Sequence, residues 1–240
     1  MNYYGTPQHK ALLQDYENRI FSKPLPDAPT DKYQINEEYS VQTYHLIDES
    51  TVKPMYAPDS GNINRLYRND ELIYEWKYVK DDNERKAKII HHANGKDYLL
   101  FFEYLYGYSL LDLSTMESVH YIPQESGDYD QEDFEETVIW VNPHYDPESS
   151  LLAVEGCIWA APYTVLVLDL SDPMRIVETK EWLDLAGGIN AKTYSEHDFA
   201  AWTEDALECV KHIFDDKNET VKYSKKELME KLQVRRYTNV

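Results

Sequence analysis

The apolar positions of this chain fall into short runs separated by polar turns, a pattern typical of β-strands. Residues 151–171 show it best, because two apolar runs flank a connection that carries aromatic residues: LLAVEGCIWAAPYTVLVLDLS. Residues 63–79 hold two further runs on either side of Asn69-Asp70, a dipeptide typical of hairpin turns. Residues 39–47 alternate between apolar and polar side chains. The pattern therefore predicts a chain built mainly from antiparallel strands.

The best-defined stretch has a weaker copy nearer the amino terminus. Leu99–Glu103 aligns with Leu151–Glu155 at an offset of 52 residues, and both segments end in glutamate. The sequence Asp-Leu-Ser occurs at 112–114 and again at 169–171, at an offset of 57 residues. The difference of five residues falls in the hairpin loop of the second copy. An internal repeat is therefore predicted.

Two fainter copies extend the repeat, and each full copy would hold about four strands in about 50 residues. A polar turn before an apolar strand, followed by a strand that ends in Asp-Leu-Ser, resembles the blades of β-propellers. The resemblance implies an all-β protein of about four repeated antiparallel meanders, in a four-bladed or an open, partial propeller. A β-sandwich is the alternative, since the Gly-His and Trp-Asp signatures of the best-known propeller repeats are absent. The fainter copies lie at 63–79 and 196–216.

Both ends of the chain show helical rather than strand patterns. Residues 8–21 place apolar side chains at helical spacing, and a proline-rich segment follows. Residues 1–30 are therefore predicted to be a short helix and a tether, with a disordered arm as the alternative. Residues 31–223 would form a single β domain built from the repeats. Residues 224–240 are predicted to be a helix and a tail, because Ser224 can cap the helical pattern that follows it.

The composition supports the β prediction and narrows the choice of partners. The chain of 240 residues has 21 tyrosines against 6 phenylalanines, and tyrosine favours half-buried sheet surfaces where its hydroxyl stays in water. The formal net charge of −20 repels phosphate backbones, so direct nucleic-acid binding is not expected. The charge is consistent with three alternatives: it keeps the protein soluble, it attracts a cationic partner, or it lets the protein mimic nucleic acid.

The cysteines and the lengths of the apolar runs indicate the compartment. Two cysteines, Cys157 and Cys209, give no disulfide framework in a chain of this size. The amino-terminal residues lack the apolar segment of a signal peptide, and no apolar run reaches the length of a membrane-spanning helix. We therefore expect a cytoplasmic protein that does not bind membranes. The sequence leaves its oligomeric state open.

The sequence contains no motif that is specific for catalysis, metal binding or nucleotide binding. Cys157 lies in a strand pattern, and the segment around Ser109, GYSLL, lacks the second glycine of a nucleophile elbow. The eight histidines include no His-Glu-x-x-His spacing, and a glycine-rich phosphate loop is absent. The acidic loop 125–136 departs from an EF-hand because Asp133 replaces its glycine, and a looser calcium site is the alternative to a solvated loop. Neither a cofactor nor a metal is expected.

The repeat nevertheless predicts one set of side chains that would converge. In a meander of four strands, the loops after the second and the fourth strand lie at the same edge. That edge would gather aromatic rings and carboxylates from successive copies, which suits a cationic or polyhydroxy partner. The alternative is that these rings only cover the edges of the sheets. The predicted binding residues are Tyr104, Tyr106, Trp159, Tyr163, Trp202 and Glu204, with Tyr108, Cys157 and Asp205 beside them.

Three hypotheses about function follow from these patterns. The leading one is a non-catalytic binding protein that uses the acidic, aromatic loop edge for a cationic protein or a small polar ligand. The first alternative is a hydrolase-like enzyme for a small polar substrate, with Glu103, Glu155 or Glu204 as general acid or base. It requires at least two of these carboxylates to meet in a concave pocket. The second alternative is an acidic inhibitor that mimics nucleic acid, which requires carboxylates along one stripe of the surface.

Overall fold

The strands of the protein form four antiparallel sheets, each a meander of strands that follow one another in the chain. A short helix lies at each end of the sequence. The all-β class, the four meanders and the two terminal helices predicted from the sequence are thereby confirmed. The computed structural model describes residues 2–51, 58–79, 86–123, 138–157, 163–187, 196–213 and 217–238.

Four strands build each of the first three sheets, and three strands build the fourth. Sheet 1 contains β1 (Asp31–Gln34), β2 (Tyr39–Ile47), β3 (Ser60–Arg68) and β4 (Glu71–Val79). Sheet 2 contains β5 (Lys88–His91), β6 (Asp97–Phe101), β7 (Tyr108–Asp112) and β8 (Ser118–Tyr121). Sheet 3 contains β9 (Ile139–Asp146), β10 (Leu151–Cys157), β11 (Thr164–Asp169) and β12 (Leu183–Asp184). Sheet 4 contains β13 (His197–Trp202), β14 (Ala206–Ile213) and β15 (Lys217–Ser224).

The helices are short and terminal. Helix α1 (Pro7–Tyr16) continues as one π-helical turn over Glu17–Phe21, which together fill the span predicted to be helical. Helix α2 (Lys225–Thr238) begins directly after Ser224, the residue predicted to cap it. Single 3-10 turns occupy Glu49–Thr51 and Thr179–Glu181. In the described part of the chain, no helix is long and apolar enough to cross a membrane.

The middle sheets are buried on both faces, and this determines how the four sheets stack. In β6, Leu99 and Phe101 pack against sheet 1. Tyr98 and Leu100 alternate with them in the same strand and pack against sheet 3. Because neighbouring side chains of a strand point to opposite faces, a strand between two other sheets must be apolar at every position.

The repeated strand β10 shows the same arrangement one sheet further along. Leu151 and Ala153 pack against sheet 4, whereas Leu152 and Val154 pack against sheet 2. The continuous apolar runs of the sequence are therefore strands enclosed by a sheet on each side. Sheets 1 to 4 follow one another face to face in chain order, as the blades of a propeller do.

The first sheet of the row is covered by the amino-terminal helix. Ile20 and Phe21 pack with Tyr44 and Ile63 on the face of sheet 1 that points away from sheet 2. At the other end, α2 packs against sheets 3 and 4 through two buried leucines. Among the described residues, no apolar cluster joins sheet 1 to sheet 4. The structure thus has four stacked sheets, whereas the β-sandwich considered as an alternative would have two.

The repeated Asp-x-Ser sequences are turns at the ends of strands. Oδ1 of Asp112 accepts hydrogen bonds from the backbone N–H of Ser114 at 2.8 Å and from its hydroxyl at 2.5 Å. The N–H of Ser171 likewise donates to Asp169 at 2.9 Å. Residues 48–50 repeat the arrangement after β2. An aspartate that accepts a bond from the residue two positions on stabilises a turn, so this repeat signature has a structural role.

Two loops depend on a left-handed backbone. Asn69 (φ 49°) and Asp70 (φ 67°) join β3 to β4 in the predicted hairpin. Gly107 (φ 83°) precedes β7, where a Cβ atom would lie well inside contact distance of the Tyr121 carbonyl oxygen. Gly95 (φ 82°) has the same conformation in the turn between β5 and β6, but a Cβ atom there would meet nothing within 4 Å.

We predict that Gly107→Ala destabilises the protein more than Gly95→Ala. Both variants carry the strain of a left-handed alanine, about 1–2 kcal/mol. Only the first adds a clash with backbone atoms, about 1–3 kcal/mol for an overpacked site. Thermal melts of the two variants would measure the difference, and equal melting temperatures would contradict it.

An ion-pair cluster attaches the amino-terminal helix to sheet 1. Arg19 contacts Asp48 at 2.8 Å, Asp15 at 2.6 Å and Asp59 at 3.0 Å. Asp48 also accepts hydrogen bonds from the backbone and the hydroxyl of Ser50. These bonds from Ser50 and Arg19 lower the pKa of Asp48 to about 2. Folding therefore favours the deprotonated form of the Asp48 carboxyl group.

The lowered pKa predicts how acid affects stability. A carboxyl group whose pKa falls on folding contributes stability that is complete above its unfolded pKa of about 3.9. That contribution is lost as the pH falls from about 4 towards 2, the pKa of Asp48 in the folded protein. We therefore predict that Asp48→Asn flattens the fall in unfolding free energy over this range, as measured by urea denaturation. Glu49→Gln, at an exposed neighbouring position, should leave the slope unchanged.

Candidate functional site

The predicted loop edge does not form as one exposed surface. Tyr104 and Tyr106 are only 5% and 8% exposed, and both pack in the cluster beneath the amino-terminal helix. Tyr108 stacks on Trp140, with 4.8 Å between ring centroids, in the core between sheets 2 and 3. The expectation that these three rings line an exposed edge is thus corrected, because the helix and the neighbouring sheet cover them.

The other predicted edge residues lie apart from these tyrosines. The indole N–H of Trp202 donates to the carbonyl oxygen of His144 at 3.0 Å, and the Lys225 ammonium lies 5.8 Å from the Trp202 ring centroid. Tyr163 is 40% exposed, and Glu204 lies exposed in the turn between β13 and β14. Asp205 is exposed beside Glu204, and Cys157 is half-buried against the cluster beneath the amino-terminal helix. Trp159 and the acidic loop 125–136 lie outside the described residues.

A concave site occurs elsewhere, between the amino-terminal helical segment, β4 of sheet 1 and the residues that follow β6 of sheet 2. We call it the Glu103 cleft, and its volume is about 280 Å³. Three carboxylates and three aromatic rings contribute to its walls, together with His9, Leu13 and Lys77. The carboxylates and rings belong to Glu17, Glu75, Glu103, Phe21, Tyr74 and Trp76.

The secondary structure explains how these side chains reach the cleft. Glu17 and Phe21 are four residues apart on one side of the amino-terminal helical segment. Tyr74 and Trp76 are two residues apart in β4, so both point towards sheet 2. There they pack on Phe101, with centroid distances of 5.7 Å and 5.2 Å. Apolar packing between sheets 1 and 2 thus places two rings beside the cleft.

Glu103 follows β6 and is held by side chains of the next two strands. Its Oε2 atom accepts a hydrogen bond from the Ser109 hydroxyl at 2.8 Å and contacts Nδ1 of His120. Ser109 lies opposite His120 in the register of β7 and β8. The other ring nitrogen of His120, Nε2, lies 2.7 Å from the Ser118 hydroxyl. The Tyr4 ring stacks on the His120 ring at 4.2 Å.

Burial favours the neutral forms of Tyr4, Tyr74 and His9 near Glu103. Burial, with a contribution from Glu103, raises the pKa of Tyr4 to about 12 and also raises the pKa of Tyr74. Burial lowers the pKa of His9, whose Nδ1 accepts a hydrogen bond from the backbone of Gly5 at 3.1 Å. At neutral pH the two phenols are therefore hydrogen-bond donors.

The predicted repeat aligns Glu155 with Glu103, and Glu155 has different surroundings. Its Oε2 accepts bonds from Asn142 and from Nε2 of His144, both at 2.9 Å, and its Oε1 accepts the backbone N–H of Phe199 at 3.1 Å. Burial opposes ionisation, yet the bonds from His144, Phe199 and Asn142 lower the pKa of Glu155. The Phe199 ring stacks on His144 at 3.7 Å and closes this cluster between sheets 3 and 4.

The three carboxylates of the enzyme hypothesis therefore do not meet. Glu103 borders the cleft, Glu155 lies between sheets 3 and 4, and Glu204 lies on an exposed turn. No pocket lined by the described residues brings two of these three carboxylates together for acid–base catalysis. Among the described residues, no group of three or more metal-ligating side chains is placed to hold a metal ion.

Sequence reasoning did not identify most of this site. Tyr4, His9, Tyr74, Ser118 and His120 come from three separate segments, and only Glu103 was singled out, through its place in the repeat. One available signal was the Ser-x-His spacing at 118–120, because residues two apart in a strand share a face.

Comparisons with known proteins leave the function open. No protein-family model matches the chain, and no solved structure matches it. A segment of 64 residues is 38% identical to "Uncharacterized protein R762" of Acanthamoeba polyphaga mimivirus. The match covers 25% of this chain and 26% of that relative.

We predict that Glu103 and Glu155 both contribute to stability and that Glu204 does not. Replacement of either half-buried glutamate by alanine leaves partly buried donors without their acceptor, which costs about 1–3 kcal/mol. Glu204→Ala removes an exposed carboxylate and should change the unfolding free energy by less than about 0.5 kcal/mol. Urea denaturation of the three variants would measure these differences. A stable Glu103→Ala variant would contradict the role assigned to its hydrogen bonds.

Proposed function

We propose that the protein binds a small organic cation in the Glu103 cleft. Glu103 carries the proposal: its carboxylate borders the cleft, and no lysine or arginine among the described residues pairs with it. Aromatic rings stand beside this charge, and a ring face attracts a cation. A volume of about 280 Å³ is near the lower limit of small-ligand pockets, so it suits a compact ligand.

The edge of the cleft already holds one ammonium group, which supports the choice of ligand. Lys77 forms an ion pair with Glu17, and its Nζ atom lies 5.3 Å from the centroid of the Phe21 ring. A carboxylate and an aromatic ring therefore bind an ammonium here within the chain itself. Glu103, with Tyr74 and Trp76, offers the same combination to a ligand.

The net charge favours this ligand class over the other hypotheses. A formal charge of −20 raises the local concentration of small cations around the protein. The loop edge is the weaker candidate, since Trp202 is engaged by Lys225 and by a carbonyl group. Mimicry of nucleic acid stays a prediction. A cytoplasmic location is part of the proposal and is supported by Cys157 and Cys209, which form no disulfide.

Isothermal titration calorimetry with tyramine would test the proposal. Tyramine combines a phenol ring with an ammonium group, and hydroxyphenylacetate is its carboxylate analogue of similar size. We predict that tyramine binds and that hydroxyphenylacetate does not. Glu103→Gln should weaken tyramine binding about tenfold or more, because a hydrogen bond to a charged group contributes about 1.5–3 kcal/mol.

Glu155→Gln is the matched control, because Glu155 occupies the equivalent repeat position and also contacts a histidine, but lies outside the cleft. It should leave the affinity for tyramine unchanged. Equal weakening by both substitutions would show a loss of overall charge rather than of a site. Binding of the carboxylate analogue, or no binding of tyramine, would overturn the proposal.

A further inference from the structure

The hydrogen bonds of His120 determine its tautomer. An ionised carboxylate only accepts hydrogen bonds, so Nδ1 of His120, which faces Oε2 of Glu103, carries the proton. Nε2 is then an acceptor, and the hydroxyl that faces it at 2.7 Å, that of Ser118, is the donor. Serine, histidine and carboxylate thus follow one another in the order that activates a serine nucleophile.

The fold holds the His120 ring in this orientation from several sides. Tyr4 stacks on the ring with an angle of 10° between the planes, and Phe101 meets it edge-on at 6.0 Å. Nδ1 also lies 3.0 Å from the Ser109 hydroxyl. The side chain of Asn2 donates to the His120 carbonyl oxygen at 2.8 Å, which attaches the chain terminus to the same strand. A base that is fixed in this way keeps its lone pair directed at Ser118.

Ser118 is partly exposed, and its histidine partner contacts Glu103, which lines the cleft. It begins β8, which is an edge strand of sheet 2 among the described strands. Tyr74 lines the cleft, and Ser118 is one of the groups that act on the pKa of the Tyr74 hydroxyl, which burial raises. A phenol that stays protonated can donate to an oxygen on which negative charge develops. Tyr74 therefore brings a hydroxyl donor to the neighbourhood of Ser118.

We propose that Ser118 is a nucleophile that accepts the acyl group of a small ester bound in the Glu103 cleft. The inference rests on the proposed function, since the cation site would hold a cationic alcohol portion of the ester. Ser118 Oγ bonds to the carbonyl carbon while Nε2 of His120 takes the hydroxyl proton. The ester C–O bond breaks, and His120 gives that proton to the leaving alcohol. A water molecule then bonds to the carbonyl carbon while Nε2 of His120 takes its proton. The bond from that carbon to Ser118 Oγ breaks, His120 returns the proton to Oγ, and the acid leaves.

Glu103 acts through His120 and is a positioning residue in this scheme. It fixes the tautomer and stabilises the cationic imidazole that forms when His120 takes the proton. The Glu155 cluster provides a comparison within the same chain. There Nε2 of His144, rather than Nδ1, faces the carboxylate, and Phe199 covers the ring.

A fluorophosphonate probe tests the inference with the full-length protein. Ser118 Oγ would bond to phosphorus, fluoride would leave, and the proton would pass to His120. We expect one adduct by intact mass, located at Ser118 by peptide mapping. Ser118→Ala should lose the adduct, and Ser114→Ala, at an exposed serine of the preceding turn, should keep it. An adduct elsewhere, or none, would overturn the inference.

The rate of labelling separates a catalytic arrangement from a structural one. His120→Gln should slow the reaction about 100-fold, because a positioned general base contributes at least that much. Labelling of the wild type should accelerate as the pH rises, because only a neutral imidazole can take the serine proton, and Glu103→Gln should change this pH profile. Equal rates and pH profiles in wild type and both variants would contradict the assignment. Near-ultraviolet circular dichroism would confirm that the variants are folded.

Competition by tyramine distinguishes failure of this inference from failure of the proposed function. Slower labelling in the presence of tyramine would support both. A Ser118 adduct that tyramine does not affect would support the nucleophile and contradict the cation site. Tyramine binding without any Ser118 adduct would contradict the nucleophile alone.

Discussion

The structure depends on the burial of sheets 2 and 3 on both faces. Strands β6 and β10 carry an apolar side chain at nearly every position, and each separates two neighbouring sheets. Apolar surface on both sides of a strand is removed from water only when a further sheet or helix covers it. This requirement orders the four sheets in a row. The amino-terminal helical segment packs on sheet 1, and α2 packs against sheets 3 and 4.

Apolar packing between the sheets restricts where polar groups can lie. A carboxylate between two sheets must have hydrogen-bond donors, because an unsatisfied buried charge is costly. Glu155 meets this requirement with three donors, one of them a backbone N–H of sheet 4. Glu103 obtains its donors from within sheet 2, from Ser109 and His120. The same repeat position therefore has one carboxylate bonded across sheets and one bonded within a sheet.

The sequence predicted those features that arise from neighbouring residues. Period-two alternation and apolar runs predicted the strands, and Asn69-Asp70 predicted a hairpin. Strands and hairpins could be predicted because both depend on the local geometry of the backbone. The burial of Tyr104 and Tyr106 was missed, since it depends on where the amino-terminal helix packs, about 90 residues away in the chain. The Glu103 cleft was missed for the same reason. Its residues converge only after sheets 1 and 2 and the helix have assembled.

The difference between the two glutamates follows from the open row of sheets. Glu155 lies between two sheets and is closed off by Phe199. Glu103 follows β6 and lines the cleft together with residues of β4 and of the amino-terminal helical segment. The space that remains is the cleft, which His9 lines, whereas Tyr4 stacks on the His120 ring. Of the two glutamates that the predicted repeat aligns, Glu155 is thus enclosed between sheets 3 and 4, whereas Glu103 lines a cleft.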